Sequence, residues 1–368
     1  MVGLKRLLLV GAGHAHAQVL QRWITAPLPG VKLTVVSPSA LAPYSGMVPG
    51  WLAGTYGFEE ICINFRALAA AAGAQLLIDE VVGLDPARGS VQLASGGRMQ
   101  SDVLSLNVGS TLVPPQGLAG QVLSLRPLGR LRAAWESMLP LLQAQGQHAP
   151  LQVTAVGGGA AGVESLLAVL ATLRRQQPLR RFDGHLFSRS PGLLPGLAPG
   201  AARAAQAALS AAGVACHLGS DFDAAQACAN GLLLWATGAQ AHPWQRASGL
   251  RVSDAGFVAI DRQLRSLSHP QVFAVGDCAE WTPALPKAGV YAVRMGPVLW
   301  TNLRAALQLG KGVDYRPQRQ VLALLATADG RAIISRGRLA LSGPVLGRWA
   351  WRWKDRIDRG FLHRFEVG

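Results

Sequence analysis

Apolar residues run along the chain in short blocks broken by glycine turns, and the arrangement occurs twice. The first block, residues 6–10, leads into Gly11-Ala12-Gly13-His14-Ala15-His16 and then a stretch of helical spacing to about Trp23. A second block covers residues 31–36, and this half closes on SDVLSLNVGS at 101–110. The pattern restarts at 151–156, passes through Gly157-Gly158-Gly159-Ala160-Ala161-Gly162 and continues as a helix through about Arg175. A strand at 185–188 follows, and this half closes on GLLLWATGA at 231–239. Strand, glycine turn, helix and strand make a βαβ unit, so the spacing predicts an α/β chain with two parallel-sheet units.

Between the halves, Leu128, Leu131, Trp135, Met138 and Leu142 share one face of a helix expected over 128–143, read as a packing helix over the second unit. After the second half, Asp261 precedes an extended segment, and a strand at 272–275 ends at Gly276-Asp277. Lys287-Ala288-Gly289-Val290 then opens a helix through about Leu307. The last fifty residues differ: RAIISRGRLAL reads as a hairpin, and 348–365 as an amphipathic helix.

Length and composition narrow this picture. The 368 residues suit two domains with a small appendage, and 50% hydrophobic composition with 15% charge excludes a disordered chain. A net charge of +15 favours anionic partners, among them phosphorylated cofactors or an acidic membrane face; no nucleic-acid-binding signature accompanies it. Cys62, Cys216, Cys228 and Cys278 form no CxxC pair and no zinc pattern, so no metal is expected, and reduced thiols in the cytoplasm are. The apolar run after Lys5-Arg6 is too short for a signal peptide, and no run approaches a transmembrane span.

Gly11 and Gly13 sit where a dinucleotide fingerprint needs them, the first for the tight turn and the second for close approach of a pyrophosphate to the helix N terminus. His16 stands at the third fingerprint position, and Ser37 ends the second strand where an acid commonly holds a ribose. Gly157-x-Gly159-x-x-Gly162 is intact. Ser188-Arg189 follows its second strand, and Arg189 either pairs with a 2′-phosphate or is a solvated arginine.

Two fingerprints, two matching strand endings and Gly276-Asp277 form an ordered set that resembles the FAD-dependent pyridine nucleotide-disulfide oxidoreductase superfamily, in its non-disulfide branch with the type II NADH dehydrogenases. GAGHAHAQVL, PYSGMVPG, LPKAGVYAVRMGP and WKDRIDRGFLHRF are most similar to the flavoprotein family found fused N-terminally to selenide, water dikinase. The resemblance covers nearly the whole chain. It implies two Rossmann-like domains: an FAD-binding domain from 1–114 and 241–320, an NAD(P)-binding domain over 115–240, and a C-terminal hairpin and basic helix over 321–368. FAD would lie against Gly11, Ala12, Gly13, His14, Ser37, Pro43, Tyr44, Ser45, Val81, Asn107, Gly109 and Asp277, with Lys287, Gly289, Val290 and Tyr291 bringing a helix N terminus to the flavin. NADH or NADPH would lie against Gly157, Gly159, Gly162, Glu164, Arg189 and Gly238, with Ala236 below.

The implied activity is that of an FAD-dependent NAD(P)H oxidoreductase, with Lys287 and Glu164 as catalytic candidates. No cysteine lies in residues 36–54, where disulfide reductases carry their redox pair, so electrons would pass directly to a quinone or other small acceptor. Lys287 is either a cation that raises the flavin potential or half of a structural salt bridge. His14 and His16 read first as packing residues and second as proton shuttles. Cys278 reads first as a small buried residue. Leu346, Trp349, Trp353, Ile357, Phe361 and Phe365 form one helical stripe, and from 331 to 368 eight Arg and one Lys stand against two Asp and one Glu. That helix suits peripheral contact with the inner face of the cell membrane, docking on the flavin domain, or a homodimer seam. Rival readings are a reductase of selenium metabolism and a flavin-binding sensor with a decayed nicotinamide site.

Overall fold

The computed structural model describes residues 4–144 and 149–367. In chain order, β1 (Lys5–Val10), α1 (His14–Thr25), β2 (Val31–Ser37), β3 (Leu41–Pro43), α2 (Val48–Leu52), β4 (Cys62–Asn64), α3 (Phe65–Ala71) and β5 (Gln75–Ile78) are followed by the strands β6 (Val81–Asp85), β7 (Ser90–Leu93), β8 (Arg98–Gln100) and β9 (Val103–Leu106). Then come β10 (Gln121–Ser124), α4 (Leu128–Ala144), β11 (Leu151–Val156), α5 (Ala160–Gln176), β12 (Phe182–Ser188), α6 (Pro199–Ala211), β13 (Val214–Leu218) and β14 (Leu232–Trp235). The chain continues through α7 (Pro243–Ala247), β15 (Val258–Ala259), β16 (Val272–Ala274), β17 (Ala279–Glu280) and α8 (Gly289–Ala306). It ends in β18 (Leu322–Ala326), β19 (Ala332–Arg336), β20 (Leu339–Leu341) and α9 (Pro344–Leu362).

Two five-stranded parallel sheets carry the fold, ordered β16-β9-β1-β2-β5 and β10-β14-β11-β12-β13. In each, the strand before the glycine turn is central, with its βαβ partner on one side and the closing strand of that half on the other. This is the doubly wound order, whose ligand crevice opens at the C-terminal ends of the central strands. β16 joins the first sheet from a position far along the sequence, pairing Val272 with Leu104 and Ala274 with Leu106. The central strands are buried on both faces, which is why their sequences are unbroken aliphatic runs rather than alternating ones.

The second sheet is fastened to the first half through α2 and α5. The Thr172 hydroxyl donates to the Leu52 carbonyl at 2.6 Å, and Arg175 donates to the Ala53 carbonyl at 2.8 Å. α4 spans the expected helix and buries Leu131, Trp135 and Leu142. It packs against β10 of the second sheet and also against β3 of the first half, so it bridges the halves rather than covering one.

The tail differs from the sequence reading in two ways. The hairpin is present, turning at Gly337 with φ 58°, but β18 joins it as a third strand. α9 begins at Pro344, a residue with its φ already set for the first helical turn. The face of α9 turned inward is Gly347, Ala350, Lys354, Asp358 and Phe361, about one residue round from the apolar stripe. Phe361 and Phe365 are buried, while Leu346, Trp349 and Ile357 face outward. The rotation has a polar cause: Lys354 Nζ donates to the Gly46 carbonyl and to Asp358, both at 2.6 Å, and Asp355 accepts from the Tyr56 hydroxyl at 2.6 Å.

Phe273 on β16 is fully buried in the principal core. Phe273→Ala is expected to cost about 3–5 kcal/mol, read as a lower urea midpoint with unchanged slope; a loss below 1 kcal/mol would mean that β16 is not a structural member of the first sheet.

Candidate active site

The two strand–turn–helix junctions open into one cavity of about 2110 Å³. Pockets for a drug-sized ligand are roughly 300–1,000 Å³, so this space suits two nucleotides in contact. Both junctions are built alike. Gly11 has φ 95°, and a Cβ there would lie 2.5 Å from the Asn107 carbonyl oxygen at the end of β9. Gly157 has φ 127°, and a Cβ there would lie 2.2 Å from the Ala236 carbonyl oxygen beyond β14. Both helices begin on a glycine in extended conformation, Gly13 and Gly159, and neither glycine has a side chain to offer as a cap. Each helix N terminus therefore turns its positive end to the cavity, a ready site for phosphate.

Of the candidate residues, Gly11, Ala12, Gly13, His14, Ser37, Pro43, Tyr44, Ser45, Val81, Asn107, Gly109, Asp277, Lys287, Gly289 and Val290 line the cavity from the first unit. Gly157, Gly159, Glu164, Arg189, Ala236 and Gly238 line it from the second. Two do not reach it. Gly162 lies under the turn, where a Cβ would come within 1.9 Å of the Gly157 carbonyl oxygen, so it serves helix–turn packing. Tyr291 is buried in α8, between Val290 and Ala292, which do line the cavity.

His16 is fully buried and explains its own departure from the fingerprint. Its Nδ1 lies 2.7 Å from the Gly11 carbonyl, so it donates there, and its Nε2 then accepts from the Ser105 hydroxyl at 2.8 Å. The imidazole thus ties the glycine turn to β9, doing by hydrogen bonds what a third glycine does by close packing. The Asn107 side chain completes this floor. Its oxygen accepts from the N–H groups of Ala15 and His16 at 3.1 and 3.3 Å, and its nitrogen donates to the Val275 carbonyl at 3.0 Å. Burial lowers both His14 and His16 to a pKa of about 4, so both are neutral at pH 7. His14 meets Tyr44 and Phe361 edge-on, with ring centroids 5.2 and 6.0 Å away.

Several charged groups around the cavity are paired. Lys287 Nζ bonds the Glu280 carboxylate at 2.8 Å and the Ala279 carbonyl at 2.6 Å, and lies 3.9 Å from the Phe257 ring centroid. It holds the loop before α8 in place. Cys278 is fully buried, and burial pushes its thiol up to about 11. Glu164 accepts the Ala326 N–H at 2.7 Å, and burial raises its carboxyl to about 7, with Lys354 opposing.

Three lining residues escaped the sequence reading. Arg126, just after β10, reaches across to Asp277 and the Ser110 hydroxyl, and donates to the Lys287 carbonyl at 3.4 Å. Lys354 and Asp358 enter from α9. Arg126 lies in a run that reads as linker, and Lys354 and Asp358 lie beside a dominant aromatic stripe, so only their mutual spacing of four on a helix could have singled them out.

The sequence profile of the pyridine nucleotide-disulphide oxidoreductase family matches residues 5–302. The chain belongs to this family. Its members are FAD-dependent and use a nicotinamide nucleotide as donor, so this is an FAD-dependent NAD(P)H oxidoreductase. No curated protein matches the chain. Among solved structures it is similar to the sulfide:quinone oxidoreductase of Aquifex aeolicus, with TM-score 0.76 and 16% identity over 98% of this chain and 91% of that one. It is also similar to NDH2 of Plasmodium falciparum, solved with NADH, with TM-score 0.74 and 12% identity over 98% and 97%. The putidaredoxin reductase–putidaredoxin complex gives TM-score 0.69 and 18% identity over 91% and 82%. These likenesses establish the fold. The glycine cradles, the two helix N termini and the cavity volume fit the family's two dinucleotides.

His14 and His16 share the lowering by burial, so substitution of His16 separates its contribution to the pH dependence of stability. Unfolded His16 takes a proton near pH 6.5, while the buried ring resists until about pH 4. Its contribution is therefore full above 6.5 and is lost as pH falls toward 4, about 2 kcal/mol by pH 5. His16→Asn is expected to flatten the acid side of the urea-unfolding profile between pH 7 and 5. An equal fall in parent and variant would clear His16 as its source.

Proposed function

We propose that this oxidoreductase passes electrons from its flavin directly to a small acceptor of the quinone type, with no protein disulfide between them. One observation carries this reading. The cavity that joins the two glycine turns continues to α9, and no cysteine is among the described residues that line it. The isoalloxazine supplies the two-electron chemistry when FAD is bound. With FAD bound, Asp277, steadied by Arg126, would accept hydrogen bonds from the ribityl hydroxyls, and the N terminus of α8 would favour negative charge on the flavin. Lys287 is the positioning residue for that helix end.

The acceptor arm runs past Tyr44, Glu164, Lys354, Ile357, Asp358 and Phe361. Its mixture of ring faces and buried proton-carrying groups suits a flat acceptor that takes up protons as it is reduced. Structural likeness to a sulfide:quinone oxidoreductase and to NDH2 supports the same class. No helix of the described residues is long and apolar enough to cross a membrane. The outward face of α9 carries Val345, Leu346, Trp349 and Ile357 beside exposed Arg348, Arg352 and Arg356, a combination suited to the interface of an anionic bilayer. A quinone held in lipid would be reached from that face.

Anaerobic addition of NADH or NADPH to the purified protein is expected to bleach the flavin absorbance, and a soluble quinone is expected to restore it without thiol-reagent sensitivity. Flavin that stays oxidised with both nucleotides would sink the proposal. Vesicles containing anionic lipid should bind the parent and bind Trp349→Ser with Leu346→Ser about tenfold less well; equal flotation of the two would remove the bilayer from the account.

A further inference from the structure

We infer that the nucleotide site of the second unit is built for a 2′-phosphate, making NADPH the preferred donor; this deepens, and rests on, the donor reading above. β12 ends on Ser188, where a carboxylate would hold the two ribose hydroxyls of NADH. Ser188 is buried against the fingerprint itself: a Cβ on Gly158 would lie 2.7 Å from its hydroxyl oxygen. The nucleotide's ribose edge therefore meets a neutral hydroxyl where a repelling carboxylate would otherwise stand.

Arg189 comes next, lining the cavity with its side chain 83% exposed. The loop after β13 is pinned beside it by two backbone hydrogen bonds, Gly219 N–H to the Ser190 carbonyl at 3.0 Å and Ser220 N–H to the Ser188 carbonyl at 3.1 Å. This clamp brings Asp221 to Arg189, Nε to Oδ1 3.8 Å, and sets Ser190 and Ser220 on the same rim. The result is a guanidinium held by one loose, 84% exposed carboxylate, on a rim that also carries Ser190 and Ser220.

Asp221 acts as a placeholder anion. An exposed pair at that separation contributes little, so it yields readily. A phosphate monoester offers the planar guanidinium two parallel charge-assisted hydrogen bonds and offers the serine hydroxyls acceptor oxygens, a stronger partner on every count. A free ribose 2′-hydroxyl offers neither and leaves the Arg189–Asp221 pair undisturbed. Discrimination thus comes from exchanging one anion for a better one.

The test titrates the FAD-loaded protein calorimetrically with 2′,5′-ADP and with 5′-ADP, reading binding without flavin reduction or acceptor. The expected result is 2′,5′-ADP binding about tenfold or more tightly. R189A should bring the two ligands to parity and R189K should retain part of the preference. D221N should tighten 2′,5′-ADP by about 2- to 5-fold, the worth of an exposed pair. Parity in the parent, or a preference that survives R189A, overturns the inference and leaves the donor reading standing with NADH. Failure of both ligands to bind overturns the two together.

Discussion

The whole structure turns on how closely a glycine turn approaches the end of a neighbouring parallel strand. At Gly11 and at Gly157 the backbone passes so near a carbonyl of the adjacent strand that no Cβ fits, and φ is positive at both. That approach lets each central strand deliver its helix N terminus straight into the crevice. Once the two turns are fixed, both helix N termini face the same cavity. The departure at His16 leaves the constraint intact, because its ring bonds both the turn and β9.

Electrostatics refine this geometry. Arg126 with Asp277, Lys287 with Glu280, and Lys354 with Asp358 are largely withdrawn from solvent and each lies at the cavity wall. Pairs of this kind add little net stability, because desolvation cancels most of the attraction, but breaking one strands a buried charge. Arg126 and Asp277 join across 151 residues of sequence, and Lys354, besides its pairing with Asp358, fixes the loop at the Gly46 carbonyl.

Much of this was legible in the sequence. Continuous aliphatic runs before glycine turns fix the two sheets, because strands buried on both faces need no alternation. The repeat of strand endings at 107–109 and 236–238 marks the crevice floor, since each ending packs under a turn glycine. The candidate residues at such junctions reached the cavity except Gly162, which packs under its turn. Tyr291 did not, because a side chain one position further along a helix points elsewhere. The inward face of α9 was misleading for a different reason. Hydrophobic pattern predicts burial only when apolar contact decides the orientation, and here the bonds from Lys354 and Asp355 to the loop carrying Gly46 and Tyr56 turn the helix round. Arg126 was invisible because its partner lies 151 residues away, a separation that no local pattern encodes.

The C-terminal appendage also bears on movement. Its sheet leans on α6 and hands the Ala326 N–H to Glu164, while its helix grips the loop of the opposite unit through Lys354 and Asp355. It works as a tie-rod between the two nucleotide units. Scissoring the crevice open would have to break these bonds, so the brace favours passage of donor and acceptor through the existing mouth of the cavity.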